Sequence, residues 1–439
     1  MHVLRRRRIR RRPRALAAVI AFVALAVPAC SGAHAQPAGP SFGSGAGAPT
    51  LTEVTALLQR HSAAVLARAT DRYLADVDPA PVSASFHLAQ QQTIAGLSGV
   101  PLHSWQYSID APVTDPSVVT AAATRLGAPA SIVHVTLSYA LDDVDSSPVT
   151  HDLWWTFVQR HGHVYVAADG DMAGLGGPSW KGPWDFGPIV AQHGNASLVL
   201  GHPSDESELA AISAEVDAAV PAVTAVWGTD WSRQVAVIVP GSSTEFAALA
   251  GQQAPSVVAD TSAETVFESS ASSTGGDTGA RVILNPSALD RLTPLGREIV
   301  LRHEITHVAT AAVTAIATPR WLVEGFADYV ANLGTGQSVA TAAAELHAEV
   351  ARGEVPTALP SDTDFASTTR LAAVYQEAWL ACRLIAARAG QAALVRFYTF
   401  VGDSPLTADA AVTAAFSSFV HESEAAFVVQ WRAYLRAQL

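Results

Sequence analysis

Two histidines four residues apart, His303 and His307, stand in the run REIVLRHEITHVATA (297–311) and constrain the chain more than any other feature. On a helix that spacing presents both imidazoles on one face, about one turn from each other. Neutral imidazoles are good zinc ligands, and the pair suits two corners of a tetrahedron. Glu304, adjacent but rotated, can reach a water at an open corner. Val300, Leu301, Ile305, Thr306, Val308 and Ala309 are uncharged, as a helix buried beneath a cleft requires. Glu324 follows His307 by 17 residues in WLVEGFADYV (321–330). That distance lets the first helix end near Pro319 and a second return beside it, so that the Glu324 carboxylate completes a two-His, one-Glu site with a free position. Asp328, one turn further on, lies where a carboxylate would orient a ligating imidazole through its other ring nitrogen. The competing reading is a helix with two incidentally placed histidines and a solvated Glu304.

HEITH followed by WLVEGFADYV resembles the gluzincin metallopeptidases, and most of all the bacterial peptidase MA-like group. The likeness is strong over 298–330 and diffuse over the rest of 195–439. It implies His303, His307 and Glu324 as zinc ligands, Glu304 as general base and Asp328 as the partner of His303. It implies an α+β upper lobe (about 191–294), a helical lower lobe (about 295–439) and zinc between them. In that family a strand before the active-site helix pairs with extended substrate, and ARVILNP (280–286) is suitably placed. A later helix often turns a Tyr toward the oxyanion; LAAVYQEAWLACRL (371–384) offers Tyr375, whose alternative is core packing with a wet hydroxyl. The Gly-x-Met-Glu-Asn segment of the aminopeptidase branch is missing, and the only Met residues are Met1 and Met172.

The function expected is therefore a zinc-dependent metallopeptidase with a peptide or protein substrate. The alternatives are an inactive binding or sensory protein on the same scaffold, and a zinc hydrolase of a non-peptide amide or ester. Decay usually loses the base or a ligand, and none is lost here. Ser242-Ser243 and Ser272-Ser273 lack a nucleophile-elbow setting, which argues against a serine mechanism.

The N-terminus points to export. Residues 1–14 carry eight Arg, Ala15–Val27 is an apolar run of 13, and Ala33-His34-Ala35 is an A-x-A-like cleavage site. The run is short for a bilayer span and suits a signal peptide over 1–35, giving a secreted or cell-envelope protein with no membrane span in the mature chain. An uncleaved anchor and lipidation at Cys30 are the other options. Residues 1–35 hold no acid, so of the 27 basic residues only 19 remain beyond them, against 39 acidic ones. A formal charge of −20 disfavours nucleic acid as a partner. Cys382 is then the sole cysteine, which leaves no disulfide framework.

Between leader and motif the pattern is α+β. Residues 36–50 read as a flexible Gly/Ala/Pro/Ser tether. Val54, Leu57, Leu58, Val65 and Leu66 fit one helix face, interrupted at His61. Ser131–Tyr139, Asp152–Gln159 and His163–Ala168 alternate as strands, with a hairpin turn at His161-Gly162. Residues 51–172 thus read as helices on a curved antiparallel sheet, similar to the nuclear-transport-factor-like cone. His161 and His163 straddle the turn; surface histidines are the simpler reading than a metal pair. The Gly/Pro-rich stretch 173–190 carries Trp180 and Trp184, so a strapped connection is expected rather than a swinging linker. A helix from Glu206 should stop at Pro221, strands are expected at Ala196–Leu200, Gln234–Val239 and Ala280–Asn285, and Asp260–Asp277 reads as a loop. After Leu295 the chain reads as mostly helical.

Overall fold

The computed structural model describes residues 47–251, 262–270, 279–366 and 369–439. The proposed leader, Cys30 and most of the tether lie outside them, as do Ser272 and Ser273. The fold is mixed α+β with two sheets, and the described residues belong to one compact unit, Pro40–Leu439.

The first sheet is an antiparallel meander of β1 (Leu102–Pro112), β2 (Ala130–Leu141), β3 (Val149–Arg160) and β4 (His163–Ala168). His161 and Gly162 both take positive φ, 51° and 78°, as a two-residue hairpin requires. Period-two alternation sends Val133, Val135, Leu137 and Tyr139 of β2, with Leu153 and Trp155 of β3, to one face. Helices Leu51–Leu66 and Ala84–Gly96 bury that face. His61 does not interrupt the apolar stripe: it is fully buried within it, its ring 3.8 Å from that of Tyr73, while Leu66 is exposed. Burial, with Arg60 nearby, lowers the His61 pKa to about 3, so the ring is neutral. The 173–190 stretch is strapped down as its tryptophans suggested. Trp184 is buried, and Trp180 stacks on His151 at 3.7 Å. The strap lies so close to the Ala84–Gly96 helix that a Cβ at Gly96 would stand 2.2 Å from the Trp184 carbonyl oxygen.

The second sheet comprises β5 (Val190–His193), β6 (Ser197–Gly201), β7 (Val235–Val239), β8 (Ala263–Phe267) and β10 (Ala280–Leu284), in the order β5-β6-β7-β10-β8. β6, β7 and β10 run parallel, with antiparallel strands at the two edges. A two-residue strand, β9 (Ser269–Ser270), follows β8 and pairs with β3 of the first sheet.

Two expectations fail here. The Glu206–Trp227 helix runs through Pro221 instead of stopping before it. Its buried stripe of Leu209, Ile212, Val216, Val220 and Val223 continues past the proline. Beyond it Trp227 packs edge-on to Phe326 and Tyr398. That burial outweighs the one backbone hydrogen bond a proline deletes. The same segment, from Pro203, is long and apolar enough to cross a bilayer, but it packs on β6 and on the helix that carries HEITH. Second, ARVILN is not the strand beside the cleft. β10 is interior, between β7 and β8, and the edge belongs to β8, inside the stretch read as a loop.

The remainder is helical. The HEITH helix (Pro294–Thr310) is capped by the Thr293 side chain; after Pro319 the return helix (Arg320–Asn332) packs beside it, and helix Leu371–Ala389 backs the return helix. Gly325 marks that crossing: a Cβ there would lie 2.4 Å from the Ala378 carbonyl oxygen.

Candidate metal centre

The HEITH and return helices bring three donor atoms together as the spacing predicts. His303 Nε2 and His307 Nε2 are 3.0 Å apart. Glu324 Oε2 stands 3.4 Å from the first and 3.5 Å from the second. An ion bound tetrahedrally through bonds of about 2.0–2.1 Å separates its ligand atoms by about 3.3 Å. The three distances straddle that value, so a metal ion fits among them without moving the helices, and His303, His307 and Glu324 form a group able to hold one.

Asp328 stands where a turn of helix beyond Glu324 puts it, with Oδ1 2.8 Å from His303 Nδ1. By accepting a hydrogen bond from Nδ1 there, it turns Nε2 toward the donor cluster. Burial disfavours charge on His303, but Asp328 and Glu324 outweigh it and raise its pKa well above the usual value. Burial likewise raises the Glu324 carboxyl, and the two imidazoles outweigh it, holding it well below the carboxylate range. Three carboxylates around two imidazoles draw in positive charge, which a divalent cation supplies.

Glu304 is buried on the same helix, and its Oε2 accepts a 2.6 Å hydrogen bond from Thr265 Oγ1 of β8. The sequence analysis missed Thr265, because its role rests on an edge strand read as a loop. Tyr375 comes from helix Leu371–Ala389, its ring 6.3 Å from that of His303 and edge-on to Phe365. Burial pushes its hydroxyl pKa up, with Glu324 adding to the effect, so it remains a donor. His303, Glu304, Asp328 and Tyr375 line one cavity of about 510 Å³, whose apolar wall includes Ile299, Val300 and Leu371. Arg320, also absent from the sequence reading, lies over the Phe365 ring with Nη2 3.7 Å from Glu324 Oε1.

The other histidines go elsewhere. His151 lies against Trp180 and Glu268, while His163 packs on Tyr165. A second acidic and histidine group, Asp110, His134 and Asp152, lies on the outer face of the first sheet. There each His134 nitrogen already faces a different carboxylate, Asp110 at 3.4 Å and Asp152 at 2.9 Å. Ser242 caps the short Ser243–Leu249 helix and is not set up as a nucleophile. Neither the models of known protein families nor the curated proteins contain a match to this chain.

Proposed function

We propose that the chain is an exported zinc-dependent metallopeptidase. The observation that carries this reading is the convergence of His303, His307 and Glu324 on one point, with Asp328 behind His303 and Glu304 beside the opening. In this reading residues 191–439 are a gluzincin-type domain of the peptidase MA-like kind, with an α+β lobe above a helical one. Residues 51–172 are a nuclear-transport-factor-like cone, and 173–190 connect the two. Export rests on the basic and apolar leader of 1–35, with Cys30 as an optional lipid anchor.

Zinc held by the two histidines and Glu324 would supply Lewis acidity and bring the pKa of a bound water toward neutrality. Glu304 would accept the proton of the attacking water and deliver it to the leaving amine. Thr265 occupies Glu304 Oε2, which leaves Oε1 for this transfer. Asp328 keeps the His303 proton on Nδ1. Tyr375, protonated throughout the neutral range, donates to the developing oxyanion.

The test is the metal content of the chain purified without residues 1–35, compared with Glu324→Ala, followed by a peptide library with Glu304→Gln as control. About one zinc per chain, lost in Glu324→Ala, is expected. Absence of zinc from the wild-type chain would sink the reading. Zinc without peptide cleavage, but with turnover of other amides or esters, would move it to a non-peptide hydrolase.

A further inference from the structure

One contact between the first sheet and the second lies immediately after β8. The Glu268 side chain is largely buried there. Tyr139 of β2 donates its hydroxyl proton to Glu268 Oε2 at 2.9 Å, and His151 Nε2 of β3 lies 3.2 Å from Oε1. From the second sheet, Arg281 Nε of β10 approaches Oε2 at 3.1 Å. The Arg281 guanidinium, 2% exposed, also donates two parallel bonds, at 2.8 and 2.7 Å, to Asp145 in the β2–β3 connection. The chain then continues as β9, laddered on Val149 and Thr150 of β3. Gly279, opposite Glu268, has φ +57°, and a Cβ there would stand 2.6 Å from Val149 Cγ1 of the first sheet, so the Val149 side chain packs directly on the Gly279 backbone.

We propose that Asp145, Arg281 and Glu268 form a buried latch by which the first sheet holds β8 in register, and through Thr265 holds the Glu304 carboxylate in place. Among the described residues, β8 is an edge strand of five residues laddered on one side, to β10. Thr265 lies on β8, three residues before Glu268, which directly follows the strand. A slip of one residue would turn Thr265 to the opposite face, away from the HEITH helix. A buried bidentate guanidinium–carboxylate pair is better suited to defining geometry than to adding stability, because desolvation offsets most of its attraction. Two carboxylates against one guanidinium leave an excess negative charge, which the Tyr139 hydroxyl, donating to Glu268, and the adjacent His151 imidazole offset. Burial alone would raise the Glu268 carboxyl, but Arg281, His151 and Tyr139 reverse that and hold it ionised. These are positioning residues. The proposal rests on Glu304 being the general base, and it makes the first sheet part of the working site rather than a removable pro-segment or a recruiting module.

The experiment is amide hydrogen exchange over 263–267 in the purified chain, run on wild type, Glu268→Ala, Glu268→Gln and Tyr139→Phe. Zinc content, kcat and KM are measured on the same samples well below their melting temperatures. The latch predicts that Glu268→Ala speeds exchange in β8 by about tenfold or more, while β7 stays protected. kcat should fall by about tenfold or more with zinc retained, because only the aim of the base is disturbed. Glu268→Gln, which keeps an acceptor for Tyr139, should recover part of both effects. Should Glu268→Ala not fold, Tyr139→Phe removes one donor and should move both readouts the same way by less. Unchanged β8 exchange, or a lower melting temperature with kcat intact, would overturn the latch. If the wild-type chain cleaves no peptide, the exchange result alone decides the latch, and only the peptidase reading falls.

Discussion

Replacing Asp328 isolates the part of the candidate centre that never touches the metal. Its Oδ1 lies 2.8 Å from His303 Nδ1, so the ring donates through Nδ1 and directs Nε2 at the donor cluster, where a bound metal would take its lone pair. In Asp328→Ala that partner is gone. The imidazole is then free to take the other tautomer, with a proton where the metal should bind, and to rotate about its side-chain bonds. Loss of such an outer carboxylate costs about 10- to 100-fold in metal affinity, or about 1.4–2.7 kcal/mol. Asp328→Asn keeps a carbonyl acceptor at the same place but drops the charge, so its loss should fall at the lower end of that range. The assay is zinc competition against a chromogenic chelator near neutral pH, with circular dichroism to show that the helices remain. An Asp328→Ala affinity within about twofold of wild type would refute the reasoning. The ring would then be oriented by packing alone, and the 2.8 Å contact would be incidental.

Other perturbations test different parts of the molecule. Glu304→Gln should lower kcat for peptide hydrolysis by about 10²- to 10⁴-fold with zinc content unchanged, measured by turnover and metal analysis on one sample. Tyr375→Phe should lower kcat by about tenfold with little change in KM, because its donor is needed only as the oxyanion forms; an equal rise in KM would assign the residue to substrate binding. Gly325→Ala forces a methyl to within 2.4 Å of the Ala378 carbonyl oxygen, so it should destabilise by about 1–3 kcal/mol in urea titration and weaken zinc binding through Glu324. His61 gives a pH signature. Its folded pKa of about 3 lies below the ordinary histidine value of 6.5, so protonation favours the unfolded chain. Its contribution is complete above about pH 6.5 and erodes on acidification, by up to about 1.4 kcal/mol per pH unit. Neither ring nitrogen has a hydrogen-bond partner among the described residues. His61→Phe should therefore be close to neutral at pH 7 and flatten the fall in urea midpoint toward about pH 5.

The donor cluster was legible because it is written in helix periodicity. His303 to His307 and Glu324 to Asp328 are each four apart, and a helix turns that spacing into proximity with no knowledge of the rest of the fold. Strands β2, β3 and β4 were legible for the parallel reason that alternation encodes a face, whereas β1 was not. Neither period carries what pairs with what. ARVILN announces a strand, but its place in the interior is decided by β7 and β8, which lie dozens and about 15 residues away in sequence. AETVF at the edge has one ladder partner and mixed polarity, so nothing local separates it from the Ser/Thr-rich residues around it. His61 read as a break in an apolar stripe and proved part of it, because a neutral imidazole stacked on Tyr73 packs as an aromatic ring.

The buried charges show the same division most sharply. Arg281 within an apolar strand and Glu268 beside a serine-rich stretch are residues that pattern reading assigns to solvent, and each is buried only because the other, with Asp145, is there. The local code thus places the residues that would bind metal and move protons, while the contacts around them at Thr265, Glu268, Arg281 and Asp145 are non-local. A chain of this kind can keep every residue of its motif and still lose activity through the first sheet. If the site is the proposed peptidase centre, an intact HEITH and Glu324 are necessary for activity, and the Asp145–Arg281–Glu268 contact is a separate condition that the exchange experiment measures.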